Sequence, residues 1–299
     1  MKSLSKKQKN KYQVDNAIIL AAGTASRFAP LSYEKHKSLI EVKGEVLIER
    51  QIRQLKEAGI KEIVIVVGYK KEQFEYLVDK YGVILVDNDN YLHRNNNGSI
   101  YAARKYIKNS YICSSDNYFS INPFKKNEEC SYYSAIYSRG HTNEWCLSVD
   151  EEGIIKDVHI GGAKSWYMLG HTFWDINFSK KFIKILEAEY DLDKTINKLW
   201  EHIYIEHIKE LKMKIKKYKS DVIFEFDTLD ELREFDSSYI NNTRSQIIKD
   251  IASHLKCLEK DITNIHSFNG SDNSAAGFNF LYKQKQYQYY YETKLIKEI

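Results

Sequence analysis

The chain reads as α/β: a Rossmann-like, mixed and mostly parallel sheet flanked by helices, with an inserted β platform and a small C-terminal appendage. Three observations predict this. Apolar runs alternate with helical periodicities over residues 17–116, residues 131–175 switch to period-two alternation, and the α/β pattern fades near Phe235.

AIILAA (17–22) predicts a buried strand, and Ile48, Ile52 and Leu55 recur at helical spacing over 46–58 before Gly59 stops them. EIVIVVG (62–68) predicts a second strand. Phe74, Leu77 and Val78 mark an amphipathic helix, VILV (83–86) a third strand and YICSSD (111–116) a fourth. Ligands of parallel sheets lie beyond the carboxyl ends of the strands, so the loops after Leu20, Val67, Val86 and Cys113 are expected to face one crevice. SYYSAIYS (131–138), EWCLSVDEEGIIKDVHI (144–160) and WYMLGHTFWD (166–175) alternate like antiparallel strands, with a hairpin turn at 150–153. Helical patterns return at 179–190 and 195–211, followed by a strand MKIKKY, a strand FEFD (224–227) and a helix from Thr228. A further helical pattern runs from Ile247 to Leu258, ahead of a polar, glycine-containing stretch. The expected organisation is a basic tail over 1–13, a main domain over 14–236 and a small α+β appendage over 237–299.

Composition narrows the function classes. Lys+Arg 45 against Asp+Glu 41 leaves a net charge of +4, too balanced for a nucleic-acid binder, and the lysines at 2, 6, 7, 9 and 11 read as a solvated tail. Cys113, Cys130, Cys146 and Cys257 are widely spaced with no CxxC pair, which argues against a zinc cage or a disulfide framework. No apolar run approaches the roughly 18 residues that span a bilayer, and no hydrophobic signal core follows the first lysines. A cytoplasmic protein with reduced thiols, no nucleic-acid partner and no membrane insertion is expected; oligomeric state is left open.

The chemistry is expected where the first strand empties into Gly23-Thr24-Ala25-Ser26-Arg27. Backbone N–H groups and a guanidinium there can surround a polyphosphate, and Lys37 can return to it as a mobile point charge. Alone, such a loop also fits a plain strand-to-helix turn with surface cations. SSDNYF places Asp116 at the end of an apolar strand, and FEFD places Glu225 and Asp227 on one strand face. Two carboxylates from separate strand ends suit Mg²⁺, although such aspartates also serve as turn formers or helix caps.

The stretch LAAGTASRFAPLSYEKHKSLIEV (20–42) resembles the signature LAAGxGSRxxPxTxxxPKxLxxV of nucleotidyltransferases that activate sugar and alcohol phosphates. With VLIERQIRQLKEAGIKEIVIVVGYKKEQFEYL the resemblance narrows to the bacterial CTP:phosphocholine cytidylyltransferases, over residues 15–236. It implies a nucleotide-diphospho-sugar-transferase fold and a nucleotide cradle at Leu20, Ala21, Ala22, Gly23, Thr24, Ala25 and Ser26. It further implies catalytic Lys37, Arg27 and Asp116, and Mg²⁺ on Asp116 and Asp227. Two departures stand out: the loop's second glycine is Ala25, which must avoid a positive φ or accept strain of about 1 kcal/mol, and the proline before the catalytic lysine is His36.

The implied substrates are CTP and phosphocholine. A quaternary ammonium donates no hydrogen bond and is held by aromatic faces and carboxylates. Trp145, Trp174, Trp200 and Tyr167 are the candidate walls, with core packing as the alternative for Trp174 and Trp200. Tyr132 and Tyr133 are further candidates, and Glu225 or Glu201 the countercharge. The run NDNYLHRNNNGSIY (88–101) matches the family's segment lining the nucleotide pocket, and Asn96 and Ser99 are expected to meet the base. The appendage faintly resembles the opening of a choline-kinase-type lobe. Rival functions are transfer to another phosphate or phosphonate (2-aminoethylphosphonate, phosphoethanolamine, a sugar 1-phosphate) and nucleotide binding without catalysis.

Overall fold

The structure, a computed structural model, describes residues 11–270 and 275–299. Most of the basic stretch at the start of the chain lies outside the described residues. The read tail is too long, however, because Tyr12–Gln13 pair antiparallel with Asn127–Glu128.

The chain divides into two compact units, one formed by residues up to Gly23 with Gln51–Phe224, the other by Thr24–Arg50 with Glu225–Ile299. In the first, the apolar runs become β1 (Asn16–Ala21), β2 (Glu62–Val67), β3 (Ile84–Asp87) and β4 (Ser110–Ser114). The period-two region becomes β5 (Tyr132–Val149) and β6 (Ile155–Trp174), and β7 is Lys214–Lys217. Together they form one sheet in the order β7-β5-β6-β4-β1-β2-β3. Strands β4, β1, β2 and β3 are mutually parallel, β6 runs antiparallel to β4 and β5, and β7 is parallel to β5.

The platform differs from the three separate strands expected, being one long hairpin. Residues 132–149 stay in a single strand because irregularities in register, not turns, absorb the breaks in alternation. Its turn lies where the sequence places it, with Asp150 Oδ1 accepting from the N–H of Glu152 (3.1 Å) and of Ile154 (2.9 Å) and Gly153 at φ 77°.

Helices α1 (Leu47–Glu57), α3 (Ile176–Glu189) and α4 (Trp200–Glu206) follow the apolar periodicities, whereas α2 (Asn96–Ala103) forms without one, Asn95 Oδ1 accepting from the Asn96 N–H at its start. Asp175 caps α3, accepting from the N–H of Asn177 and Phe178. Ile18, Val64, Ile100, Trp174, Phe182 and Tyr204 are almost wholly buried in one cluster, each such large apolar side chain contributing about 1.5–3 kcal/mol.

The second unit holds α5 (Leu229–Phe235), α6 (Gln246–Leu255) and an antiparallel sheet of β8 (Thr263–Asn269), β9 (Ala275–Tyr282), β10 (Lys285–Tyr290) and β11 (Ile296–Glu298) in sequence order. Gly277 is required there, since a Cβ would come within 2.0 Å of the Tyr289 carbonyl oxygen. The expected FEFD strand is only Ile223–Phe224, paired with Tyr118–Phe119, so Glu225 and Asp227 do not share a strand face. Thr228, not Asp227, caps α5: its hydroxyl accepts from the Glu231 N–H at 3.2 Å. Among the described residues no helix is long and apolar enough to cross a membrane, and the four cysteines are free thiols.

Candidate active site

In the first unit the carboxyl ends of the parallel strands are tied together. The Ser115 N–H donates to the Leu20 carbonyl (3.2 Å) and the Tyr69 N–H to that of Ala22 (3.0 Å). Asp116 follows directly and is partly buried. Gln51 on α1 holds its turn, donating from Nε2 to the carbonyls of Ser114 and Asn117, both at 2.9 Å. Asp116 is thereby delivered beside the start of the loop that leaves β1, the end of the sheet where such folds bind ligands.

The second unit carries the cationic stretch. Ala25 adopts φ 48°, ψ 45°, the left-handed region it was expected to avoid or be strained by; for a residue with a Cβ this costs about 1–2 kcal/mol. Ala25→Gly should therefore stabilise the protein by about 1 kcal/mol, seen as a rise in Tm of about 2–4 °C; a fall in Tm would contradict the strain.

His36 sits at φ −57°, ψ 135°, a backbone that proline also adopts, and its Nδ1 accepts from the Ser38 N–H at 3.2 Å. The substitution thus keeps the backbone path and adds a cap to the turn Lys37–Leu39. Lys37 is buried, and its Nζ lies 3.6 Å from Asp227 Oδ1. Arg27 is 75% exposed and bonds Asp227 Oδ2 at 2.6 Å. An ion pair that exposed contributes only about 0–1 kcal/mol, so the guanidinium can swing to a phosphate at little cost. Arg27, Lys37 and Asp227 converge as a cation-carboxylate-cation trio.

On the platform side of the first unit, Trp145 is partly buried and meets the His202 ring edge-on at 4.8 Å. Next to His202, Glu201 accepts from Asn96 Nδ2 (3.1 Å) and the Tyr133 hydroxyl (3.3 Å). Burial pushes the Glu201 carboxyl up to about 7, against these hydrogen bonds, which pull it down. Burial lowers the pKa of His202, whose Nδ1 accepts from the Leu199 N–H.

Trp174 and Trp200 are both core residues, almost wholly buried, with Trp200 stacked on Tyr133 (5.7 Å) and edge-on to Trp174 (5.0 Å). They back the platform and present no open face. Tyr167 is partly buried, and Glu225 is exposed. Asn96 uses its amide inside the protein, accepting from the Trp200 N–H (2.7 Å) as well as donating to Glu201. Ser99 is buried and accepts from Asn88 Nδ2 (3.1 Å). His202 was not singled out by the sequence reading, although it lies two residues past Trp200, on the same short helix.

Residues 17–119 match the MobA-like NTP transferase domain. The choline-phosphate cytidylyltransferase of Streptococcus pneumoniae is 36% identical over 220 residues, covering 74% of this chain and 96% of the relative. The chain belongs to the nucleotidyltransferase family of the bacterial choline-phosphate cytidylyltransferases. A 2-aminoethylphosphonate cytidylyltransferase of Lancefieldella rimae is also 36% identical, over 77% of this chain and 95% of its own. Among solved structures, the CTP:phosphocholine cytidylyltransferase from S. pneumoniae superposes with TM-score 0.73 at 35% identity, covering 76% of this chain and 99% of that one. The inositol-1-phosphate CTP transferase of T. maritima, at 17% identity and TM-score 0.59, shares the fold.

Enzymes of this family are typically metal-dependent. No group of three or more His, Cys, Asp or Glu able to hold a metal occurs among the described residues. A single aspartate, such as Asp116 in the first unit or Asp227 in the second, is nonetheless a donor that suits Mg²⁺, which takes one or two carboxylates and completes its shell with water and substrate phosphates. Asp227 keeps 31% of its side chain exposed, and its exposed partner Arg27 is the group a triphosphate would draw away.

Proposed function

We propose that the chain is a Mg²⁺-dependent cytidylyltransferase that joins CTP and phosphocholine, giving CDP-choline and pyrophosphate, in the cytoplasm. The observation that carries this reading is the partly buried Trp145 ring set edge-on to His202, the residue that follows the Glu201 carboxylate on α4. That combination suits a cation that donates no hydrogen bond.

A phosphocholine phosphate oxygen attacks the α-phosphorus of CTP, a new O–P bond forms, and the bond to the β-phosphate oxygen breaks as pyrophosphate leaves. The attacking group is already ionised, so no general base is needed; positioning and charge neutralisation supply the catalysis. Arg27 swings from Asp227 to the triphosphate, and with the buried Lys37, already in place, it neutralises the charge developing there. Asp116 and Asp227 would be the carboxylates to hold Mg²⁺, which would supply a divalent charge against the phosphates. Trp145 and Glu201 seat the trimethylammonium and so orient the attacking phosphate. The loop Leu20–Ser26 cradles the nucleotide.

The L. rimae relative's equal identity favours one other acceptor, 2-aminoethylphosphonate, whose primary ammonium could donate to Glu201 directly. Pyrophosphate release measured with each of four nucleoside triphosphates against phosphocholine, phosphoethanolamine, 2-aminoethylphosphonate and glucose 1-phosphate separates the readings. The expected optimum is CTP with phosphocholine. Faster turnover of the phosphonate would replace the acceptor, and nucleotide binding without release in any pairing would overturn catalysis.

A further inference from the structure

The lysine turn does not stand on its own stretch of chain. Within the second unit, residues on both sides of Lys37 are gripped by the C-terminal segment 236–299. On the N-terminal side, Tyr33 stacks on Tyr291 with ring centroids 3.7 Å apart and planes 3° from parallel. Next to it, Glu34 Oε1 accepts from the N–H groups of Gln246 (2.7 Å) and Ile247 (3.2 Å), the first residues of α6. On the C-terminal side, the Glu41 carbonyl accepts from the Tyr239 hydroxyl (2.7 Å) and from Arg244 (3.0 Å), and the Lys43 N–H donates to Asp236 Oδ2 (2.7 Å). These contacts bracket Lys37, three and four residues away on one flank and four and six on the other. The S. pneumoniae relative aligns over 96% of its length with 74% of this chain, so about a quarter of this chain has no counterpart in it.

We infer that the C-terminal segment is a positioning clamp for the catalytic lysine, with Tyr291, Tyr239 and α6 as its jaws. This rests on the role given to Lys37 above. A stack, a helix cap and two carbonyl bonds at both ends of a short turn remove its freedom to slide, and displacement of a charge by about 1 Å from its working position costs on the order of a hundredfold in rate. The clamp residues touch no reacting atom; they act through Lys37.

The test is a double-mutant cycle on the full chain, with kcat expressed per folded molecule well below the Tm. Tyr291→Ala and the conservative Tyr239→Phe are expected to lower kcat, about tenfold when combined, with the KM for CTP within twofold of wild type and Tyr291→Phe restoring the rate. In a Lys37→Ala background the same pair should change kcat by less than twofold, since the group they position is gone. An unchanged kcat per folded molecule, or the same tenfold loss without Lys37, would reduce the segment to a structural support. A Lys37→Ala enzyme with normal kcat would instead overturn the catalytic assignment, a different outcome from failure of the clamp.

Discussion

Lys37→Ala is expected to lower kcat by about 10³-fold, about 4 kcal/mol of transition-state stabilisation, with the fold intact. Negative charge spreads over the triphosphate as the α-phosphorus changes partner, and a cation already in place needs no solvent reorganisation to meet it. Lys37 is suited to this because it is almost fully buried at the head of a capped turn, 3.6 Å from Asp227. Folding survives because Arg27 continues to neutralise Asp227 at 2.6 Å. Lys37→Arg restores the charge on a wider, planar head and should recover only part of the rate. Asp116→Ala removes an oxygen donor from the turn held by Gln51 and is expected to fall as far, with some recovery at high Mg²⁺ concentration. Near-normal steady-state turnover in either alanine variant, with thermal unfolding unchanged, would remove that residue from the mechanism.

The first strand and the loop that leaves it were the most legible in the sequence, for a physical reason. A buried strand must be apolar and the tight turn that leaves it must be built of small residues, so AIILAA and Gly23-Thr24-Ala25-Ser26 announce both by composition. The helix from Thr228 was readable as well, because Thr228 and Glu231 satisfy each other's backbone reciprocally. Long-range partnerships were not readable. The bonds that Asn96 makes to Glu201 and accepts from the Trp200 N–H could not be read, since no local pattern links residues 105 positions apart. Trp174 illustrates the same limit: its place among Phe178, Phe182 and Trp200 depends on how α3 and α4 pack. FEFD alternates like a strand, yet Tyr118 and Phe119 pair only with Phe224 and Ile223, so the strand stops there. The grouping of residues 24–50 with the C-terminal segment likewise rests on contacts between residues some 200 positions apart.

The second large effect is a dependence of phosphocholine binding on pH, set by Glu201. Its carboxyl is pushed up to about 7 from an ordinary 4.5, chiefly by burial. The folded protein thus keeps a proton that the unfolded chain releases between those values, and the group's contribution to stability, full below about pH 4.5, is lost as pH rises through 7. Substrate binding runs the other way, because the trimethylammonium is attracted only by the ionised form. With a pKa near 7 the ionised fraction rises about tenfold from pH 6 to pH 8, so the KM for phosphocholine should fall by about that factor, with kcat little changed. The second ionisation of the substrate phosphate, near pH 6, adds its own slope, and Glu201→Gln isolates the protein's share. The amide can still accept from Asn96 and Tyr133, but the variant should show a KM about tenfold above wild type at pH 8, lose the extra slope, and unfold at a higher temperature than wild type at that pH. Trp145→Ala removes the aromatic face and should raise KM by about 2- to 30-fold at every pH, as expected for about 0.5–2 kcal/mol of cation–π attraction. If Glu201→Gln and wild type give superimposable KM profiles from pH 6 to 8, the carboxylate does not face the ammonium, and the primary-ammonium acceptor must be tested against the same variants.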